Sequence, residues 1–551
     1  MTDQNDTRAS AAISDSQNEA TEHSAPKAVY WCRKCDVPLI SRTCDICGST
    51  GRYCGVDLKP VFPEERSLFE RFLRCSKILP AEGRLPKELY INRGRVVWQG
   101  KRLFEFRVTA GEFVLKRGFS LSPDDYGCGN DDFVHRAVEA NKSALAELER
   151  EALQFIDSAL SEFQEAEPIV AFSGGKDSAV TAYLVLQVAR PVLFFSNTTI
   201  EYPETYEYIS SFAEFFSLEL VIEEPDADFL TMCEQLGPPS RILRWCCSVF
   251  KGTLLSRFLN RLDHEVINFD GIRRRESNRR SKYERVTKNP KVVKQITFRP
   301  IIDWTSLEVW LYNFWRDLPL NPLYFRGFAR VGCYACPNNT EYDDLLTSEY
   351  YSKLWSQWQE RLTGFFDREY ASEYDEVDRE QWLKEGLWKK RMPHRNTEYS
   401  TVSRPCLEES GLSYEMSKPV DDQIVQFLKP LGKVQLFKMG NDKVGFSLTR
   451  ADWYQISSIL NDNCLTTTFL NGKGYQSKLL IERQLRKWLN CVGCGACAGT
   501  CPVGAISVQA GSFRIADNLC TRCQECVRSN FTRQGCVALS YKNDSVRIRE
   551  E

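Results

Sequence analysis

At 551 residues, with 42% apolar and 26% charged residues, the chain is long enough for about three to five packed domains. A formal net charge of −2 excludes a globally basic nucleic-acid coat, though not a local basic patch. No apolar run approaches the ~18 residues of a membrane span and the polar N-terminus has no apolar signal core, so a cytoplasmic protein without membrane partners is expected. The 22 cysteines stand beside only 4 histidines. Most of the cysteines fall in CxxC or CC pairs, which reads as metal ligation in a reducing compartment. His23, His135, His264 and His394 are scattered, which argues against a histidine triad or a histidine-rich metal site.

Residues 1–27 are polar and lack apolar periodicity, as in a disordered tail. Residues 28–57 carry Cys32-x2-Cys35-x8-Cys44-x2-Cys47, two thiolate knuckles that predict a closed tetrahedral zinc ribbon, with Cys54 outside the quartet. Residues 58–130 alternate short apolar runs with turns and predict a small β-rich or α+β module. Residues 131–345 predict an α/β domain. Its first part, 133–165, carries Leu145, Leu148, Leu153, Ile156 and Leu160 at helical spacing and predicts one amphipathic helix. A buried-type strand at 168–172, a helix at 179–188 and strands at 192–196, 218–222 and 266–269 follow; such alternation implies a parallel sheet. Residues 346–414 read as a charged, Trp-rich helical extension. Residues 415–488 read as a small α+β domain, with regular runs at 433–437, 445–448 and 453–460. Residues 489–551 form a cysteine module.

The strand at 168–172 runs straight into Ser173-Gly174-Gly175-Lys176-Asp177-Ser178 and a helix. A glycine turn at a helix N-terminus lets free amides and the positive helix end approach a phosphate. Ser173 and Ser178 add hydroxyl donors and Lys176 a charge, while Asp177 suits a divalent metal bridging phosphates or a bond back to the loop. This is not the GxxxxGK[ST] loop of ordinary NTPases. It resembles the PP-loop of the ATP pyrophosphatase and adenine nucleotide alpha hydrolase superfamily, whose members hold ATP there and typically cleave between the α- and β-phosphates. Further segments resemble phosphoadenylyl-sulfate (PAPS) reductases: residues 194–205, Gly271-Ile272-Arg273-Arg274-Arg275-Glu276-Ser277, and Pro300-Ile301-Ile302-Asp303-Trp304 with Val309-Trp310. The resemblance covers roughly residues 165–340. Beside a phosphate loop, the Arg273 and Arg274 guanidiniums suit phosphate or sulfate. Lys176, Asp177, Arg273 and Arg274 are the candidate catalytic residues; together with Ser173, Gly174, Gly175 and Ser178 they are also the candidate nucleotide-binding set.

Cys246-Cys247 and Cys333-x2-Cys336 lie far apart in the chain, but folding can gather them into four thiolates, suited to Zn²⁺ or [4Fe–4S]. Their spacing resembles assimilatory adenylyl-sulfate reductases, where such pairs hold one [4Fe–4S] cluster beside the substrate. The cluster either tunes the site's electrostatics or passes electrons, and the sequence leaves that choice open. Cys491-x2-Cys494-x2-Cys497-x3-Cys501-Pro502 has the spacing of bacterial ferredoxins, and Cys520, Cys523, Cys526 and, after a longer gap, Cys536 form a second set. By resemblance to two-cluster ferredoxins the ligands cross over: Cys491, Cys494, Cys497 and Cys536 hold one cluster, and Cys520, Cys523, Cys526 and Cys501 the other. Three cubane clusters and one zinc are expected in all.

Two features depart from the reductases. Their Glu-Cys-Gly-x-His nucleophile segment is missing; the nearest string, Glu409-Ser410-Gly411-Leu412-Ser413, has no thiol, and Cys406 lies four residues before Ser410. The phosphate loop also keeps the form associated with whole ATP. Both favour Mg-ATP-dependent adenylyl transfer coupled to sulfur or redox chemistry, as in sulfur-inserting PP-loop enzymes acting on tRNA or DNA, with an electron-donor protein as a further partner. PAPS or adenylyl-sulfate reduction to sulfite is the alternative enzyme, and an electron-transfer or nucleotide-sensing adaptor the non-catalytic one.

Overall fold

The computed structural model of the protein describes residues 27–118, 121–288, 295–371, 375–391, 402–405, 411–416, 419, 421, 423–439, 443–450, 454–461, 464–469, 474–509, 512–527 and 536–541. The expected tail, apart from Lys27, lies outside these residues, as do Cys406 and Trp453.

The chain opens with a three-stranded antiparallel ribbon in which β1 (Val29–Cys32) pairs with both β2 (Val37–Leu39) and β3 (Arg52–Gly55). A five-stranded antiparallel sheet follows, in spatial order β4 (Lys59–Pro60), β5 (Tyr90–Asn92), β6 (Arg95–Trp98), β7 (Lys101–Thr109) and β8 (Glu112–Arg117). One face covers helix α1 (Pro63–Cys75), whose Phe69 ring meets Phe104 and Phe106 at 5.8 and 5.2 Å.

The helix expected over 133–165 is two: α2 (Phe133–Glu139) and α3 (Lys142–Glu162). Asn141 separates them, and its side chain is fully buried. Its Nδ2 donates to the Pro38 and Ala137 carbonyls at 2.9 and 2.7 Å, and its Oδ1 accepts from the Ile40 amide at 2.8 Å. The break serves the ribbon, a tertiary demand that helical periodicity does not register.

The central sheet has the order β11 (Leu220–Glu223), β10 (Val192–Ser196), β9 (Glu167–Ala171), β12 (Val266–Phe269), β14 (Ile296–Phe298), β13 (Val286–Lys288). All pairings are parallel except that of β13, an antiparallel edge. Helices α4 (Lys176–Leu186), α5 (Pro203–Phe215), α6 (Phe229–Leu236), α7 (Trp245–Cys247) and α8 (Thr253–Arg261) belong to this part, α7 and α8 being joined by a π-helical turn at Ser248–Gly252. The chain builds outward from β9 through β10 to β11, then crosses back to β12 on the other side of β9. That reversal opens a crevice at the carboxyl ends of β9 and β12, where ligands bind in open α/β sheets.

Helices α9 (Ser306–Trp315), α10 (Glu341–Tyr350), α11 (Ser352–Tyr370) and α12 (Glu376–Lys384) follow. Next comes an antiparallel six-stranded sheet with the order β15 (Val402–Pro405), β16 (Gly411–Glu415), β20 (Cys464–Phe469), β19 (Tyr454–Asn461), β18 (Lys443–Arg450), β17 (Lys433–Met439). Helices α13 (Gln423–Leu428) and α14 (Gly474–Asn490) lead to α15 (Ala496–Gly499), the hairpin β21 (Ile506–Gln509) and β22 (Ser512–Ile515), and α16 (Val537–Tyr541). No helix among the described residues is long and apolar enough to cross a membrane.

Candidate functional site

The Ser173–Gly175 turn leaves β9 at the crevice. Gly174 has φ +72°, a left-handed conformation that favours glycine, and a Cβ there would press on Ile209 and Thr205 at 3.1 and 3.2 Å. Side chains from distant elements pin the turn. Asn321 Nδ2 donates to the Gly174 carbonyl at 3.2 Å, and the Lys176 amide donates to Tyr324 Oη at 2.8 Å. Ser178 Oγ donates to the Gly175 carbonyl at 2.9 Å and accepts from the Ser173 amide at 3.3 Å. Ser173 itself is exposed at the surface of the turn.

The charged members of the loop face one another. Lys176 Nζ donates to Asp177 Oδ2 at 2.6 Å, and Arg273 Nε donates to Oδ1 at 2.5 Å. Lys176 and Arg273 are both buried, and the lysine ammonium also lies 5.7 Å from the Trp310 and Tyr324 ring centres. Burial would raise the Asp177 pKa, but the Arg273 and Lys176 charges outweigh it and hold the carboxyl well below its usual range. Burial lowers the Lys176 pKa, with Asp177 opposing. Gly271, just after β12, seats its backbone directly on this corner: a Cβ would come within 2.7 Å of the Asp177 carbonyl and 2.9 Å of the Ser178 nitrogen.

The structure separates the arginine run. Arg273 turns inward to Asp177. Arg274 donates from Nε to the Tyr283 carbonyl at 3.0 Å and pairs with Asp303. Arg275 donates to the carbonyls of Lys27 at 2.7 Å and Val56 at 3.3 Å, tying the core to the N-terminal ribbon. Arg280 pairs with Glu276.

The two distant cysteine pairs come together, each cysteine only partly buried. Cys246 and Cys333 pack into one apolar core with Trp245, Phe250 and Tyr334. Hydrogen bonding to Cys247, burial and the Cys336 and Cys333 thiols push the Cys246 thiol up; burial and Glu201 do the same to Cys333. Thiols that oppose each other's ionisation suit a metal whose positive charge ionises them together. The Cys333 segment approaches the phosphate turn, since Val331 Cβ lies 3.9 Å from where a Cβ on Gly175 would stand, two residues before Cys333.

Sequence reading missed several groups here. Thr198 Oγ1 lies 3.3 Å from Cys333 Sγ and donates to the buried Glu201 at 2.8 Å. Thr199 adopts φ +63°, a strained conformation for a β-branched residue, braced by Asn197 Oδ1 on its amide. Lys251, four residues after Cys247, is influenced by the same cysteines, Cys333 being the largest influence raising its pKa. Lys251 was readable as one helical turn beyond the CC pair; Thr198 and Glu201 gave no signal beyond their place in the 194–205 segment.

At the N-terminus, Cys32, Cys35, Cys44 and Cys47 bring all four sulfurs within 4.8 Å of one another, as a single ion requires. In the C-terminal module Cys494 has the thiols of Cys497, Cys536 and Cys491 around it, whereas Cys526 has Lys487 and the thiols of Cys497, Cys501 and Cys520. Cys523 is exposed. The module docks on the core: Ser256 Oγ on α8 donates to the Gly499 carbonyl at 2.9 Å, and Val492 and Cys494 pack into the same apolar cluster as Cys246 and Cys333.

Residues 167–339 match the phosphoadenosine phosphosulfate reductase domain, and residues 488–507 match a 4Fe-4S binding domain. An adenosine 5'-phosphosulfate reductase of Bacillus mycoides is 32% identical over 193 residues, 34% of this chain and 79% of that protein. An uncharacterized protein of Methanocaldococcus jannaschii is 32% identical over 287 residues, 51% of this chain and 58% of its own length. The chain therefore spans little more than half of that relative. The crystal structure of the PAPS reductase of Candida auris, a phosphate complex, aligns with 38% of this chain and 98% of its own at 16% identity and a TM-score of 0.29. The chain belongs to the phosphoadenosine phosphosulfate reductase family, and it carries an iron–sulfur domain of the 4Fe-4S type.

Proposed function

We propose that the chain is an enzyme that binds Mg-ATP on Ser173–Ser178 and transfers its adenylyl group to an acceptor, coupled to sulfur or redox chemistry. The observation that carries this reading is the glycine turn at the β9/β12 crevice, pinned by Asn321 and Tyr324 and approached by Val331, two residues before Cys333. Ser173 Oγ and the amides of Gly174 and Gly175 would donate to phosphate oxygens. Asp177 is the one carboxylate of the loop, ionised and shared by two cations. Asp177 would hold the magnesium of Mg-ATP, and Lys176 and Arg273, which pair with it, would supply positive charge to the leaving pyrophosphate. A nucleophile on the acceptor then attacks the α-phosphorus, the bond to the αβ-bridging oxygen breaks, and pyrophosphate leaves with that electron pair. Arg274 would hold the crevice rim through Asp303.

The four central thiols would hold a [4Fe–4S] cluster, the N-terminal quartet zinc, and the C-terminal module two further clusters with the crossed ligand sets. A cluster at the centre supplies a one-electron couple beside the nucleotide. The Ser256–Gly499 contact supports electron entry through the protein's own C-terminal module. The acceptor class consistent with sulfur insertion is a tRNA or DNA. Incubation with α-labelled ATP and magnesium tests the reading: release of pyrophosphate with acceptor labelling is expected, and no ATP binding and no release with any acceptor refutes it.

Sulfonucleotide reduction is the second reading, favoured by the identity to the Bacillus mycoides reductase. It predicts sulfite from adenylyl sulfate or PAPS with a reductant present. Its weakness is the missing Glu-Cys-Gly-x-His segment.

A further inference from the structure

Four lysines are buried among the described residues: Lys59, Lys176, Lys389 and Lys487. The first three have carboxylate partners, Glu65, Asp177 and Asp344. Lys487, on α14, is 1% exposed and has no carboxylate within 4.0 Å among the described residues. Its Nζ donates to the Cys526 carbonyl at 3.2 Å and stands 4.3 Å from the Phe513 ring centre and 5.9 Å from that of Phe427. The other lysines of this region with charged partners, Lys429 and Lys478, have Asp517 and Glu482.

Burying an ammonium without a counter-ion costs several kcal/mol. One carbonyl and two aromatic faces do not neutralise a full charge. The acidic groups that do face Lys487 are thiols, Cys497, Cys526, Cys536 and Cys491, drawn from both candidate ligand sets. A cubane held by four thiolates is anionic in both oxidation states and more so when reduced. A fixed cation between two such groups therefore stabilises the reduced state of each.

We propose that Lys487 is the shared buried counter-cation of the two C-terminal iron–sulfur sites and raises their reduction potentials. It touches no substrate and acts through the clusters' charge. The inference rests on the reading that both thiol sets hold clusters, and the experiment separates the two. The full-length protein, purified anaerobically as wild type, Lys487→Met and Lys487→Arg, is assayed for iron and sulfide and then titrated redox-potentiometrically by electron paramagnetic resonance. At a solution potential equal to the wild-type midpoint, Lys487→Met should shift the reduced-to-oxidised ratio about tenfold toward oxidised, equivalent to about 59 mV for one electron. Lys487→Arg should keep the ratio within about twofold, because it keeps the charge. A wild-type protein without iron at these sites overturns the underlying reading. Full iron in Lys487→Met with an unshifted midpoint overturns the inference alone. If Lys487→Met loses iron, retention by Lys487→Arg supports the charge argument, and equal loss by Lys487→Arg refutes it.

Discussion

Replacing Gly271 by alanine tests the site through a single methyl group. Its Cβ would stand 2.7 Å from the carbonyl carbon and oxygen of Asp177 and 2.9 Å from the Ser178 nitrogen, all backbone atoms in the first turn of α4. Ordinary van der Waals contact begins at 3.4 Å, so the β12 loop and the helix start must part by about 0.7 Å. No flexible side chain can absorb that shift, and the same corner carries the Arg273–Asp177–Lys176 pairing. Overpacking of this kind costs about 1–3 kcal/mol. If the bound state needs the native corner, that converts to about 5- to 150-fold weaker nucleotide binding. The assay is calorimetric titration with Mg-ATP and separately with adenylyl sulfate, using whichever the wild type binds, beside thermal unfolding. The control is Gly364→Ala within α11, where a Cβ meets nothing within 4 Å. There the same change should stabilise the protein by about 0.5–1 kcal/mol, as in any exposed helix interior, and leave binding alone. A Gly271→Ala protein that binds nucleotide like wild type would refute the claim that this corner is the phosphate site.

Asn141→Ala removes a side chain that serves three backbone groups, two on the ribbon segment and one on α2, and should lower stability by about 1–3 kcal/mol with faster zinc loss to a chelator. Zinc retention and melting equal to wild type would refute it. Gly499→Ala places a Cβ 2.9 Å from the Thr253 Cα and should slow reduction of the central cluster by the C-terminal module with iron content unchanged, read by rapid-freeze paramagnetic resonance; an unaltered rate would remove the proposed electron route. The Asp177 carboxyl has a folded-state pKa held below its unfolded value of about 3.9, so its ion pairs add stability above that pH and lose it as the pH falls below. The stability gap between wild type and Asp177→Asn should be flat above about pH 5 and close below about pH 4; a gap that widens on acidification would reverse the assigned sign.

Motifs whose chemistry lies in adjacent residues were legible in the chain alone. Ser173–Ser178 between a strand and a helix and the two N-terminal CxxC knuckles each lie in one short stretch, and the structure sets the turn at the end of β9 and brings the four knuckle sulfurs within 4.8 Å of one another. The strands at 192–196 and 266–269 were legible for the same reason: a buried parallel strand is a short, continuous apolar run. What the tertiary structure decided were the pairings between distant elements. Periodicity could not reveal the break at Asn141, because its cause is a ribbon about 100 residues upstream. Composition could not say that Arg273 turns inward to Asp177 while Arg274 and Arg275 face other partners, since three adjacent arginines are alike until a fold gives each a different neighbour. Nor could it say that Cys246 and Cys333 share a core or that Lys487 is buried among thiols; burial and charge balance are properties of three-dimensional neighbourhoods, which only the completed packing sets.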